Sequence, residues 1–190
     1  MRDSLGRVTG LLSERSREMT THRGRGFVSV VSCAAALSAL SMGAPQARGQ
    51  ERAEFDAFFD QVTQAEGELF RGRAEPLKAL WSRDSAVTLF GVSGGRGAHG
   101  WNEVGRRLDW ASTQYSEGVL TVERIASYVH GQLGYVVQRE TVHFKSPGHS
   151  EVSVLEIRAT WIFRREPNGW RIIHRQADSL MKRQGPPEGR

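Results

Sequence analysis

The sequence predicts an α+β domain in which three N-terminal helices pack on a strongly curved, mostly antiparallel sheet. Three observations carry this. Between Arg52 and Tyr115, apolar residues recur at intervals of three and four, the helical spacing. After Gly118 the pattern changes to strict alternation, the spacing of half-buried strands. The chain then closes on a hairpin, Leu155–Ser179, whose Pro167-Asn168-Gly169 supplies the residue types that successive turn positions require. Helices with one apolar stripe and a sheet with one apolar face each need a cover. Packing the two together buries both.

Each element follows in order. Arg52–Phe70 carries Phe55, Phe58, Phe59, Val62 and Leu69 as a helical stripe dominated by aromatics. Glu75-Pro76 opens a second, short helix with Leu77, Leu80 and Trp81 on its buried side, since the first turn has no use for the N–H that proline lacks. Ser85–Phe90 reads as a strand, and Gly91–Gly100, with five glycines in ten residues, as a loop. Trp101–Tyr115 is a third helix, with Trp101, Val104, Leu108, Ala111 and Tyr115 on one face. Strands are expected over Leu120–Val129, Leu133–Phe144, Val152–Arg165 and Trp170–Gln176. The tail Arg183–Arg190 is polar, rich in Pro and Gly, and expected to be disordered.

A three-residue turn fixes the register of the closing hairpin. It pairs Glu166 with Trp170, Phe163 with Ile173, Trp161 with Arg175 and Ala159 with Ala177. The last three pairs share a face with Leu155 and Ile157, almost wholly apolar except for Arg175. The opposite face collects Glu156, Arg158, Thr160 and Ile162 against Trp170, Ile172, His174, Gln176 and Asp178.

The chain divides into an N-terminal extension (1–50), the domain (51–182) and the tail (183–190). Within the extension, Phe27–Met42 is a weakly apolar run preceded by Arg23 and Arg25 and followed by small residues, the layout of a secretory signal. We expect translation to start at Met19, cleavage near Ala47 and export to the periplasm or beyond. A membrane anchor and lipidation at Cys33 are the alternatives, and the run is short for a stable span. Residues 1–50 hold 7 of the 26 basic and 3 of the 21 acidic side chains, so the rest of the chain has a net charge near +1. The high pI therefore belongs to the leader, and a nucleic-acid partner is not expected. The single cysteine, Cys33, also lies there, leaving no thiol chemistry to the domain.

The order helix–helix–strand–helix–four strands resembles the cone-shaped nuclear transport factor 2-like superfold. Several strings are similar to its SnoaL-like branch, related to polyketide cyclases and ketosteroid isomerases: Ala79-Leu80-Trp81-Ser82, Val87-Thr88-Leu89-Phe90-Gly91, Gly94-Gly95, Gly100-Trp101, and Thr160 through Asp178. The resemblance covers roughly 53–181. It implies a homodimer and a pocket between the helices and the concave sheet face. Many relatives end the last strand His-Arg-His-Ala-Asp, and this chain has Gln176 at the second histidine. The resemblance implies no single reaction, because one fold hosts many.

Candidate site residues follow from the faces. Arg175 puts a permanent cation on an apolar wall. It either holds a ligand anion through its rigid fork or closes a structural ion pair, with Glu140 as the plausible partner. Glu140 qualifies if Val136, Gln138 and Val142 are the inward set of their strand, a parity the sequence leaves open. Trp161 and Trp81 are candidates to line a pocket for a flat apolar ligand. His174 and Asp178, two apart on one face, are candidate catalytic acid and base or else interface residues. The first helix has no tyrosine, so the ketosteroid isomerase arrangement of base, tyrosine and neutral carboxylic acid is not visible. No histidine spacing suggests a metal, and no cofactor is implied. The functional expectation is an exported pocket protein for a small, largely apolar molecule, with proton-transfer chemistry open. The alternative is a non-catalytic dimeric binding or assembly module.

Overall fold

The structure, a computed structural model, describes residues 43–181. The leader Phe27–Met42, Met19, Cys33 and the tail Arg183–Arg190 lie outside the described residues. The chain forms α1 (Gly43–Leu69), α2 (Glu75–Leu80), β1 (Thr88–Phe90), β2 (Ala98–His99), α3 (Trp101–Ser112), β3 (Ser116–His130), β4 (Leu133–Lys145), β5 (Val152–Glu166) and β6 (Gly169–Ser179). One curved, unclosed sheet runs β2-β1-β6-β5-β4-β3, antiparallel throughout except where β1 lies parallel to β6. The expected α+β architecture is the observed one.

The core sits where α1 crosses the concave face. Phe55, Phe58 and Phe59 close edge-on around Phe163 of β5, with ring centroids 5.4, 5.9 and 5.8 Å away, and Phe55 also meets Trp170 at 5.1 Å. Each such pair adds about 0.5–1.5 kcal/mol beyond the burial of apolar area. Gly134 on β4 makes this approach possible, because a Cβ there would stand 2.5 Å from the Phe55 ring. Outside this cluster, Arg124 of β3 ties the sheet to α1, 3.0 Å from Asp56 and 4.6 Å above the Phe59 ring.

Local chemistry moves three element boundaries. The strand expected at Ser85–Phe90 is only Thr88–Phe90, because Asp84 accepts the Ala86 N–H at 2.9 Å and holds a turn first. The glycine-rich segment contains β2, hydrogen-bonded to β1. The third helix stops at Ser112, where Ser112 and Thr113 donate back to the Asp109 and Trp110 carbonyls at 2.8 and 2.7 Å.

The closing hairpin departs from expectation in an instructive way. Pro167 and Asn168 alone form the turn, and Gly169, at φ +100°, is already paired with Glu166. Trp170 therefore faces Arg165, and Phe163 faces Ile172 rather than Ile173. Between Phe163 and Ile162 the register shifts, Ile173 is left over as a β-bulge, and the expected pairs return: Trp161 with Arg175, Ala159 with Ala177 and Arg158 with Asp178. Trp170 and Ile172 are therefore core residues, correcting their assignment to the outer face. β4 points Val136, Gln138, Glu140 and Val142 inward, which settles its parity.

The bulge yields a sharp expectation. Deleting Ile173 removes only the odd residue, and the alternation that remains still points Trp170, Ile172, Arg175 and Ala177 inward. The deleted chain should therefore keep the cooperative unfolding transition of the parent, checked by circular dichroism and thermal melting. Loss of that transition would show that the bulged conformation itself, and not only the alternation it preserves, holds the core.

Candidate functional site

β6 delivers Arg175 into the interior just past the bulge. Its Nη2 donates to Glu66 Oε1 of α1 at 2.8 Å and to Glu140 Oε2 of β4 at 2.7 Å. The guanidinium lies 4.7 Å from the Trp161 ring centroid, a cation–π contact, and Gln138 donates to Glu140 Oε1 at 2.8 Å. All three charged residues are buried: Glu66 and Glu140 are each 1 % exposed and Arg175 7 %. Glu66 Oε2 and Arg175 Nε have no hydrogen-bond partner among the described residues.

One cation between two carboxylates leaves an excess negative charge that the interior resists. The protein answers by holding a proton. Burial, and then the charge of Glu140, push Glu66 up to about 8 against the pull of Arg175. Burial works against the Arg175 charge, but Glu140 and Glu66 outweigh it and push the guanidinium up. At neutral pH the cluster is best described as an Arg175–Glu140 ion pair beside a neutral Glu66.

Glu66 and Arg175 also line a cavity of about 50 Å³. Its wall is otherwise mostly apolar, with Leu69, Phe70, Leu77, Leu89, Leu108 and Ile157, and Tyr115 also lines it. Burial pushes the Tyr115 phenol up, while the nearby Arg175 charge and the Ser93 hydroxyl pull the other way. A larger, polar vestibule of about 380 Å³ adjoins it, sharing Leu89, Gly91, Arg107 and Trp110.

The candidates from the sequence separate in space. Arg175 lines the cavity, and Glu140 holds it from behind. Trp161 and Trp81 are 0 % and 1 % exposed and lie in the packed core, away from the cavity wall. Trp161 stacks on Phe163, and the Trp81 backbone bridges to Ile172. His174 and Asp178 are on the opposite face of the sheet, with no access to the cavity. His174 Nδ1 lies 2.7 Å from Thr88 Oγ1, and burial lowers its basicity. Asp178 is exposed and accepts from Gln176 at 3.2 Å, and it forms no ion pair with Arg158, its register partner. Glu66 and Tyr115 are the residues that sequence reasoning missed. The signal for Glu66 was present: it falls four after Val62 and three before Leu69, on the buried stripe of α1. Among the described residues, no three His, Cys, Asp or Glu side chains gather as a metal ligand set, and no helix is long and apolar enough to cross a membrane.

Comparison with known proteins bears on the whole described domain. The SnoaL-like domain family matches residues 56–181. A nuclear transport factor 2-like superfamily protein from Salmonella enterica serovar Typhimurium is similar in structure, with a TM-score of 0.62 at 16 % identity over 75 % of this chain and 99 % of that one. A candidate dehydratase of the same superfamily from Streptomyces avermitilis gives 0.60 at 18 % identity, over 70 % and 99 %. A ketosteroid isomerase-like protein from Erwinia carotovora atroseptica gives 0.59 at 14 % identity, over 70 % and 98 %. At these identities the likeness is one of fold. No curated protein matches the chain.

The raised Glu66 pKa has a consequence for stability. Unfolded, Glu66 titrates near its ordinary 4.5, and folded it titrates near 8, so the native state binds the extra proton between them. Stability from this group is full below about 4.5 and is lost as pH rises through about 8. Urea unfolding from pH 5 to pH 9 should show a decline of several kcal/mol that Glu66→Gln removes. An unchanged slope in the variant would exclude Glu66 as its source.

Proposed function

The chain belongs to the SnoaL-like domain family, and on that premise we propose that its inner cavity receives the reacting end of a small, largely apolar molecule and that Glu66 exchanges a proton with it. The observation that carries this reading is the partnerless Oε2 of Glu66 in the wall of an apolar cavity. A buried polar atom without a partner costs about 1–3 kcal/mol, and a ligand oxygen accepting from the neutral acid would relieve it. A carboxylic acid that titrates near neutrality is also matched to general acid and base work at physiological pH.

The chemistry suits isomerisation, cyclisation or dehydration. Neutral Glu66 donates its proton to a ligand carbonyl or leaving hydroxyl, and the electron pair of the broken O–H bond stays on the carboxylate. Arg175, already 2.8 Å from Glu66 Oε1, stabilises that carboxylate. The return of a proton from a ligand carbon restores the acid, so the cycle is balanced. Tyr115 lines the same cavity, so a phenol stands in its wall alongside a neutral carboxylic acid, the two kinds of donor that ketosteroid isomerase chemistry uses. The dehydratase and isomerase-like descriptions of similar structures point to the same class of proton transfers.

A second reading keeps specific support. Arg175 is closed by two protein carboxylates and the cavity is small, as expected of a non-catalytic binding or assembly module. Deuterium exchange separates the two. Aromatic and polyketide-like ketones are screened for binding by thermal shift, and those that bind are incubated in D2O and followed by NMR. Proton transfer predicts label at the carbon beside the carbonyl, with Glu66→Gln slowing it about 100-fold or more while binding persists. Binding without exchange in the parent supports the module.

We also infer export and a homodimer. The leader Phe27–Met42 supports export, and Gln46–Gln50, around the expected cleavage point, are exposed. The outer sheet face shows Tyr128, Tyr135 and Leu133 at 53, 41 and 54 % exposure, an apolar surface suited to a second copy. Native mass spectrometry of the exported form reads both: the expected species is a dimer whose chains begin near Ala47.

A further inference from the structure

The inner cavity is a poor place for an anion, because Arg175 already carries two carboxylates, Glu66 resists ionisation beside it, and the other cation there, Arg107, is shared with the vestibule. The uncompensated positive charge lies further out. The vestibule is lined by Arg96, Arg106 and Arg107 against a single carboxylate, Glu103. None of the three arginines forms a salt bridge among the described residues, whose salt bridges are all made by other cations. Glu103 accepts the His99 N–H at 3.1 Å, and its one negative charge offsets only part of the charge of the three arginines. That bond, with the charges of Arg96 and Arg106, holds its carboxyl below the usual range.

Arg107 is preorganised. It donates to the Gly94 carbonyl at 3.1 Å and lies 4.6 Å from the Trp110 ring centroid, which fixes its guanidinium at the junction of vestibule and cavity. The rim beneath is firm as well, since a Cβ on Gly97 would stand 2.5 Å from the Phe90 ring. Trp110, 44 % exposed, adds an aromatic wall beside the cations. The two compartments differ in size as they do in charge, about 380 Å³ outside and about 50 Å³ inside. A molecule spanning both therefore keeps most of its bulk in the vestibule and passes only a short apolar end inward.

We propose that this vestibule is an anion-recognition site, in which Arg96, Arg106 and Arg107 hold the carboxylate or phosphate head of the molecule whose apolar end enters the inner cavity. This rests on the pocket reading above and specifies its substrate class as an amphipathic organic anion. Guanidinium forks suit both heads, since each offers two oxygens in one plane. The arginines are largely solvated, so their attraction is screened by salt.

The test uses three aryl probes of similar shape: phenylacetate, phenyl phosphate and the neutral phenylacetamide, titrated calorimetrically against the parent, Arg96→Glu/Arg106→Glu and Glu66→Gln. The anions should bind the parent about tenfold or more tighter than the amide, and more weakly as salt rises. The double reversal should weaken the anions at least about tenfold, leaving amide binding and the melting temperature unchanged. The milder Arg96→Gln/Arg106→Gln should fall between. Tighter binding of phenyl phosphate identifies a phosphate head, and tighter binding of phenylacetate a carboxylate. Equal binding of amide and anions, anion binding that survives charge reversal, or no binding of either anion overturns the proposal. Glu66→Gln should bind the anions as the parent does, so loss of deuterium exchange in that variant bears on the proton-transfer reading alone.

Discussion

The one extra residue in β6 governs the interior of this domain. A strand alternates faces, so a regular β6 that turned Trp170 and Ile172 inward would turn Arg175 outward, three positions after Ile172. Leaving Ile173 unpaired absorbs the odd residue. The turn end of the strand can then complete the aromatic cluster around Phe163, while the far end presents Arg175 to the carboxylates. The shift falls where the neighbour of β6 changes, from the Trp81 bridge at Ile172 to β1 at His174, so neither edge partner is disrupted.

What the bulge delivers is an electrostatic problem with one economical solution. A guanidinium buried beside two carboxylates cannot have every group charged without leaving net charge in a medium that solvates it poorly. Retaining a proton on Glu66 removes that charge and creates a neutral acid where water has little access. A group held near its titration point for structural reasons is thereby also poised for proton transfer. The same arrangement makes the inner cavity indifferent to anions, while the arginines on the loop and on α3 make the vestibule receptive to them. Charge is thus sorted along the path from solvent to the buried acid.

The division between what was legible and what was not follows the range of the interactions. Periodicity over Arg52–Phe70 and after Gly118, with the turn residues at Pro167-Asn168-Gly169, is local, and it was enough to determine the helices, every described strand but β2, their order and the α+β architecture. It also determined that Arg175 interrupts an apolar face and that Glu140 shares a strand face with Gln138. Sequence alone could not show that the turn has two residues and not three, because that choice is compensated further along β6 by the bulge at Ile173 and is favoured by packing of Trp170 against Phe55 of α1. Nor could it show that Glu66 meets Glu140 across a gap of 74 residues, or that Arg107 joins the cavity lined by Tyr115 to the vestibule lined by Arg96. Those are contacts between elements distant in the chain, and only the crossing of α1 over the curved sheet decides them. The helical stripe of α1 contained Glu66 all along; what it lacked was the partner that makes burying a carboxylate affordable, and that partner exists only once the sheet has folded beneath it.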